Sequence, residues 1–182
     1  MKSIRLVLLT SLVTLSSVAA SAAEFSVSVP AFNKIENKQV FKGFGCEGGN
    51  VSPAVSWENA PEGTKSFALT VYDPDAPTGS GWWHWVAYNI PASAKSIAEG
   101  AGTVDGKKLP KGSAQGTTDF GTKGYGGPCP PAGDKPHHYI VSLHALKIEK
   151  IEVPHGATAA MIGFNINANT IAKATVTGMY GR

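Results

Sequence analysis

Asp73 and Asp75 stand two residues apart in Asp73-Pro74-Asp75-Ala76-Pro77, directly after the apolar run from Phe67 to Tyr72. Prolines restrict their own φ and the residue before them, so this turn aims its two carboxylates with little backbone freedom. Two further stretches carry groups of complementary chemistry: Gly81-Trp82-Trp83-His84-Trp85, and Gly126-Gly127-Pro128-Cys129-Pro130-Pro131 with His137 and Tyr139 close behind. Imidazoles and a phenol donate hydrogen bonds to an anion, and such bonds to a phosphate oxygen are strong ones. Carboxylates in the same pocket would repel a phosphate, unless they accept from the histidines and hold them as donors, or unless one is protonated on binding. Asp73 and Asp75 are therefore read as groups that orient the histidines. Each stretch alone also fits ordinary loop punctuation, and a lone histidine on an apolar strand face fits a hydrogen-bonded core residue; it is the three together that point to a site.

The same side chains suit general acid and base work. However, the chain has no Gly-x-Ser-x-Gly elbow, no Walker loop and no His-Glu-x-x-His pair, so binding is favoured over turnover. No metal is expected either: a strand through His137 to His144 places those two rings on opposite faces, which disfavours a multi-histidine ion site.

These groups need strands to hold them. Alternation over Phe67 to Asp73 puts Phe67, Leu69, Val71 and Asp73 on one face, with the carboxylate at the mouth of the core. Trp82 to Ile90 reads as a strand with Trp82, His84, Val86, Tyr88 and Ile90 on one side, and 138 to 144 as another, with His137, Tyr139, Val141 and Leu143 together. Phe25 to Val29, Gln39 to Phe41 and Val55 to Trp57 read as shorter strands, separated by a glycine-shaped loop at 43–53. Residues 100–123, poor in large apolar side chains, read as a long loop and a candidate contact surface. The Ala-rich stretch 157–173 fits a short helix on the sheet, before a closing strand at 175–180. The overall pattern is strand-rich with one or two helices.

Lys2 and Arg5 precede an apolar run, Leu6 to Val18, which ends in Ala19-Ala20-Ser21-Ala22-Ala23. That pattern describes a secretory signal over residues 1–23, cleaved after Ala23 and leaving residues 24–182 as a single exported domain. The run is shorter than the roughly 20 residues that span a bilayer, and no later stretch is apolar enough to do so. The formal charge is +3, and two of the basic residues lie in the signal. A near-neutral domain of this kind predicts neither nucleic-acid binding nor strong attachment to anionic membranes. The two cysteines, Cys46 and Cys129, are an even count, and in an oxidising compartment that favours one disulfide; a pair of small buried thiols is the alternative.

Taken in order, Asp73-Pro74-Asp75-Ala76-Pro77, His84-Trp85 and Gly127-Pro128-Cys129-Pro130-Pro131 with Gly133, His137 and Tyr139 resemble the two signature blocks of the phosphatidylethanolamine-binding protein family. Cys46-Glu47-Gly48-Gly49-Asn50-Val51-Ser52-Pro53 and Gly178-Met179-Tyr180-Gly181-Arg182 are similar to its bacterial branch. The resemblance implies a mostly β fold: a large central antiparallel sheet packed on a smaller one, with short helices near the C-terminus. It also implies a small pocket for an anion, phosphate or a phosphorylated head group, formed by Asp73, Asp75, Pro77, Trp82, His84, Gly127, Pro130, Pro131, His137 and Tyr139, with no cofactor. His138 stands where many members carry arginine, so the bracing role of that arginine is open. The sequence through Gly178-Met179-Tyr180-Gly181-Arg182 is not expected to form the closing helix of animal members, which leaves lipid selectivity open. The bacterial branch further implies a periplasmic location. The alternative that the family offers is a protein-interaction module, a protease inhibitor or signalling modulator, and a homodimer is left open.

Overall fold

The computed structural model describes residues 23–182; the signal-peptide reading, apart from Ala23, falls on residues outside these. In chain order the elements are β1 (Ser26–Ser28), a 3-10 turn (Pro30–Phe32), β2 (Lys42–Gly43), β3 (Cys46–Glu47), β4 (Val55–Glu58), β5 (Ser66–Asp73), β6 (Trp82–Pro91), β7 (Ser96–Ile97), β8 (Ala114–Gln115), β9 (His137–Leu146), α1 (Ala159–Asn169) and β10 (Thr170–Tyr180). Five strands form the central antiparallel sheet in the order β10-β9-β5-β6-β8, three form a smaller sheet β1-β4-β7, and β2 and β3 make a two-stranded hairpin. The mostly β fold expected from the sequence is present, with one α-helix among the described residues.

β5 is buried almost throughout because both faces of the central sheet are covered. On one face Phe67, Leu69, Val71, Trp85, Tyr139, Val141 and Leu143 pack with Val55, Trp57 and Ile97 of the small sheet. On the other, Ala68, Val86, Tyr88 and Leu146 pack with Ile162 and Ile166 of α1. Each such aliphatic or aromatic side chain contributes about 1.5–3 kcal/mol on leaving water. The Thr158 hydroxyl caps α1 by accepting from the Met161 backbone N–H at 3.3 Å, which satisfies one of the free donors of the first turn.

Three local expectations are corrected. The strand expected at Gln39–Phe41 is irregular: the Phe41 N–H bonds Pro128 O and the Val40 carbonyl accepts from Asn50. Gly127 lies against this backbone, where an added Cβ would sit 1.9 Å from Gln39 O, so loop packing takes the place of a ladder. The helix expected to run to Lys173 stops at Asn169, because the residues after it are taken into the β10–β9 ladder.

The single face expected for Trp82, His84, Val86, Tyr88 and Ile90 is split by two bulges. Val71 pairs with Trp85 and Tyr72 with Trp83, so His84 is the extra residue; a second irregularity falls between the Phe67–Ile90 and Leu69–Ala87 pairs, where Asn89 has φ +57°. As a result Val86 and Tyr88 pack under α1, whereas Ile90 packs toward the small sheet. A bulge re-aims one side chain without breaking the strand, and the side chain re-aimed here is His84.

Candidate anion-binding pocket

The ends of β5, β6 and β9 meet at one edge of the central sheet, and a cavity of about 150 Å³ opens there. Its strand-borne wall holds Asp73, Trp82, His84, His137 and Tyr139; its loop-borne wall holds Phe44, Ala76, Pro77, Thr78, Phe120, Cys129, Pro130 and Pro131. Eight of the ten residues assigned from sequence line it. Asp75 and Gly127 lie outside the lining.

Asp73 is 3 % exposed and its carboxylate is fully engaged. Oδ1 accepts from the backbone N–H groups of Asp75 at 2.8 Å and Ala76 at 3.1 Å, while Oδ2 faces His137 Nδ1 at 2.8 Å. A carboxylate accepts, so Nδ1 of His137 carries its proton and the ring is fixed with Nε2 directed away from Asp73. Asp134 Oδ2 stands 3.5 Å from that Nε2.

His84 is fixed in a parallel way by a carbonyl. Its Nδ1 donates to Gly126 O at 2.7 Å, and the Gly126 N–H donates back to His84 O at 2.9 Å. Burial pushes its pKa down to about 4, against smaller opposing effects from the Gly126 carbonyl and the Asp73 charge. At neutral pH His84 is therefore uncharged, with Nε2 a lone-pair acceptor and not the donor expected from sequence.

Tyr139 lines the cavity with the two histidines, its ring edge-on to His84 with centroids 5.1 Å apart. Burial first, and then the charge on Asp73, raises its pKa, so the hydroxyl keeps its proton. That hydroxyl is buried without a hydrogen-bond partner, and such groups in proteins normally have one.

Asp75 turns outward. Its Oδ2 accepts from the His138 backbone N–H and from His138 Nδ1, both at 2.7 Å, and the backbone bond first, then the ring, holds its carboxyl below the usual range. His138 thus ties the Asp-Pro-Asp turn to the start of β9. Gly127 is a packing residue whose N–H donates to Asn50 Oδ1 at 2.8 Å.

The loop-borne wall contains most of what sequence reasoning missed. Phe120 comes from the long 100–123 segment, which is anchored by the Trp83 N–H donating to Asp119 Oδ2 at 2.7 Å and by Trp85 Nε1 donating to Gln115 Oε1 at 2.7 Å. Phe44 adopts φ +51° in the hairpin turn and stacks over Phe120 with centroids 5.9 Å apart. Two flanking glycines and a lone aromatic were the only signal for Phe44. Cys46 and Cys129 are joined in a disulfide that links β3 to the proline-rich loop. Arg182 makes a second link: Nε donates to Pro130 O at 2.7 Å, Nη1 to Gly45 O at 3.0 Å and Nη2 to Phe44 O at 3.3 Å.

No group of three or more metal-ligating side chains occurs among the described residues, and no helix among them is long and apolar enough to cross a membrane.

Comparison with known proteins identifies the family. The chain is 53 % identical to the UPF0098 protein YbcL of Escherichia coli over 92 % of both chains. It is 48 % identical to the UPF0098 protein YbhB of the same organism, over 81 % of this chain and 92 % of that one. The crystal structure of E. coli YbcL, described as a new member of the mammalian PEBP family, superposes with a TM-score of 0.85 at 54 % identity, covering 88 % of this chain and 99 % of that one. The profile of the family described as phosphatidylethanolamine-binding protein matches residues 31–181, and the chain belongs to that family.

Proposed function

We propose that the protein is a non-catalytic binding protein whose pocket takes a phosphate group that still carries one proton, either inorganic phosphate or a phosphorylated head group. The observation that carries this reading is the Tyr139 hydroxyl, a buried donor with no partner on the wall of a cavity. Beside it stand a neutral imidazole that accepts at Nε2, His84, and one whose Nδ1–H is held by Asp73, His137. A protonated phosphate offers the matching set: an acceptor oxygen for Tyr139 and a P–OH for the lone pair at Nε2 of His84. The apolar rings and prolines around these groups lower the local dielectric and strengthen each bond.

Binding without turnover is favoured by the absence of a poised nucleophile in the lining. Cys129 is bonded to Cys46, and the Thr78 hydroxyl donates to Gly81 O. Neither histidine is hydrogen-bonded to a hydroxyl or thiol across the cavity. The disulfide is the kind of bond that persists in oxidising compartments, and together with the basic, apolar and small-residue pattern of residues 1–23 it supports export to the periplasm.

Calorimetric titration with phosphate and with sulfate, at the same pH, tests the reading. Sulfate matches the size and charge but has no proton for His84. Phosphate should bind at least tenfold more tightly, and Tyr139→Phe should weaken it by about 1.5–3 kcal/mol, the usual cost of losing a bond to a charged group. Equal affinity for both anions would remove the role given to His84, and binding of neither would remove the site. Release of a product from phosphomonoesters would overturn the non-catalytic reading.

A further inference from the structure

A second cleft lies on the α1 side of the central sheet, formed by residues that the anion pocket does not use. Two cavities, of about 160 and 240 Å³, open there and share Tyr88, Gln115 and Lys123 in their walls. The frame around them is fixed. Gln115 is bonded at both ends of its amide, accepting from Trp85 Nε1 at 2.7 Å and donating to Thr103 O at 2.8 Å. Lys123 is bridged to Thr117, and Thr117 to Thr158 at the start of α1, where Thr117 O also accepts from the Ala159 N–H at 3.0 Å. The 100–123 segment, a candidate contact surface from its sequence, supplies Val104, Asp105, Leu109 and Ala114 to the larger cavity.

Two groups in the shared wall lack partners. Tyr88 is 9 % exposed, and burial alone, with no hydrogen bond contributing, raises the pKa of its hydroxyl, which therefore remains a protonated donor. Buried polar groups normally have a partner. Lys123 forms no ion pair among the described residues. A phenol O–H and an ammonium in one wall make a donor pair for a single anionic group, and Thr117 and His155 of the smaller cavity offer further donors. The surroundings set the rest of the ligand. Val153, Pro154 and Ala157 wall the smaller cavity and favour a hydrocarbon body. In the larger one stands the Asp105 carboxylate, which accepts from Thr103 Oγ1 at 2.7 Å. A second negative charge on the ligand would lie either against apolar walls or beside Asp105, and both are unfavourable. We propose that this cleft binds a small monocarboxylate with a short aliphatic chain, its carboxylate accepting from Tyr88 and Lys123 and its chain lying against Val153, Pro154 and Ala157. Inorganic phosphate, with more charge and no hydrocarbon, is the poorer fit on both counts.

Titration of the nitrogen-labelled protein with sodium butyrate, followed by nuclear magnetic resonance, tests this. The amide signals of Ala114, Gly116, Thr117 and Lys123 should shift and saturate, while those of Gly127 and His137 at the anion pocket stay in place. Succinate should bind here at least tenfold more weakly than butyrate, and phosphate should not shift these amides. Tyr88→Phe should weaken butyrate by about tenfold or more, the cost of one hydrogen bond to a charged group. Lys123→Gln, at an exposed position, should weaken it by about three- to tenfold, since water screens that charge. Neither change removes a hydrogen bond or ion pair of the fold, so thermal unfolding midpoints should be unchanged, and the ligand series on the unmodified protein decides the matter even where a variant fails to fold. Because neither Tyr88 nor Lys123 lines the anion pocket, the outcome is independent of whether phosphate binds there. No saturable shift with butyrate, shifts centred on Gly127 and His137, succinate or phosphate binding as tightly as butyrate, or full butyrate affinity in both variants would overturn the inference.

Discussion

The pocket has two walls built on different principles. Asp73, His84, His137 and Tyr139 project from β5, β6 and β9, so the ladder of the central sheet sets their spacing. Phe44, Phe120, Cys129, Pro130 and Pro131 come from loops with almost no ladder, and are held by one disulfide, one guanidinium and the anchors of the 100–123 segment. The chemistry-bearing groups are on the wall whose geometry is cheapest to hold, and the shape of the cavity is on the wall that side-chain links maintain. Perturbing either wall should therefore have a distinct signature: loss of proton-linked stability for the strand wall, loss of ligand fit for the loop wall.

The largest expected effect is on the strand wall and comes from acid. Burial lowers the pKa of His84 to about 4, and that of His144, on the other face of β9, to about 4 as well. Their ordinary value is about 6.5. Because the folded pKa is the lower one, the unfolded chain binds more protons between these limits. Stability contributed by the neutral rings is complete above pH 6.5, falls as pH drops toward 4, and is level below that. Each histidine accounts for a loss on the order of 3 kcal/mol over the window. Urea midpoints measured from pH 7.5 to 4 should fall most steeply between 6 and 4.5, and His144→Gln should flatten the curve by about half. A midpoint that stays constant across the window would show that neither ring is held neutral by burial.

Next in size is the link across the loop wall. Cys46 and Cys129 are 83 residues apart, and closing a loop of that length stabilises by about 4 to 5 kcal/mol in the chain-entropy model. Native protein should contain no reactive thiol. Cys46→Ser with Cys129→Ser should lower stability by nearly that amount and weaken phosphate binding, with the pH dependence above left unchanged. Two titratable thiols in unreduced protein would mean that other contacts hold the wall.

Asp73→Asn tests how the strand wall fixes His137. The amide oxygen can replace one acceptor but its NH₂ cannot accept from Nδ1–H, so the imidazole must change tautomer or lose its bond. A buried hydrogen bond to a charged group is worth about 1.5–3 kcal/mol, and stability should fall by that order. Nuclear magnetic resonance of the ring nitrogens should show the proton leaving Nδ1 of His137, and phosphate affinity should fall with it. An unchanged tautomer would assign the orientation to packing alone.

The asymmetry of the walls also governs what could be read in the sequence. Asp73, His137 and Tyr139 were legible because strict alternation puts each on the same face as apolar neighbours, and strands preserve that relation. His84 was placed in the site, but the face it was expected to share with Val86 and Tyr88 was not correct: an inserted residue reverses the alternation, and no composition rule marks where a bulge falls. Phe44 and Phe120 were not found, since loop residues have no period and their approach depends on contacts far along the chain. The disulfide was legible from the even cysteine count. Arg182 was not, because its partners are backbone carbonyls 52, 137 and 138 positions away, and a carbonyl leaves no trace in residue type.

Arg182 gives the smallest expected effect and the sharpest separation of the two walls. Its planar guanidinium donates to Pro130, Gly45 and Phe44 at once, and so joins the hairpin turn to the proline-rich loop beside the disulfide. Lysine keeps the charge but is a point donor without the fixed fork. Arg182→Lys should therefore behave nearly as Arg182→Ala. Because the site is partly exposed and water can replace lost donors, the cost in stability should be only about 0.5–1.5 kcal/mol. The effect on binding should exceed that share, since Phe44 and Pro130 both line the cavity and a small displacement of either opens it to water. Phosphate affinity should fall several-fold in both variants, with the tautomer of His137 and the acid-induced loss of stability unchanged. If Arg182→Lys instead binds as the unmodified protein does while Arg182→Ala does not, charge and not the fork is what the loop wall requires.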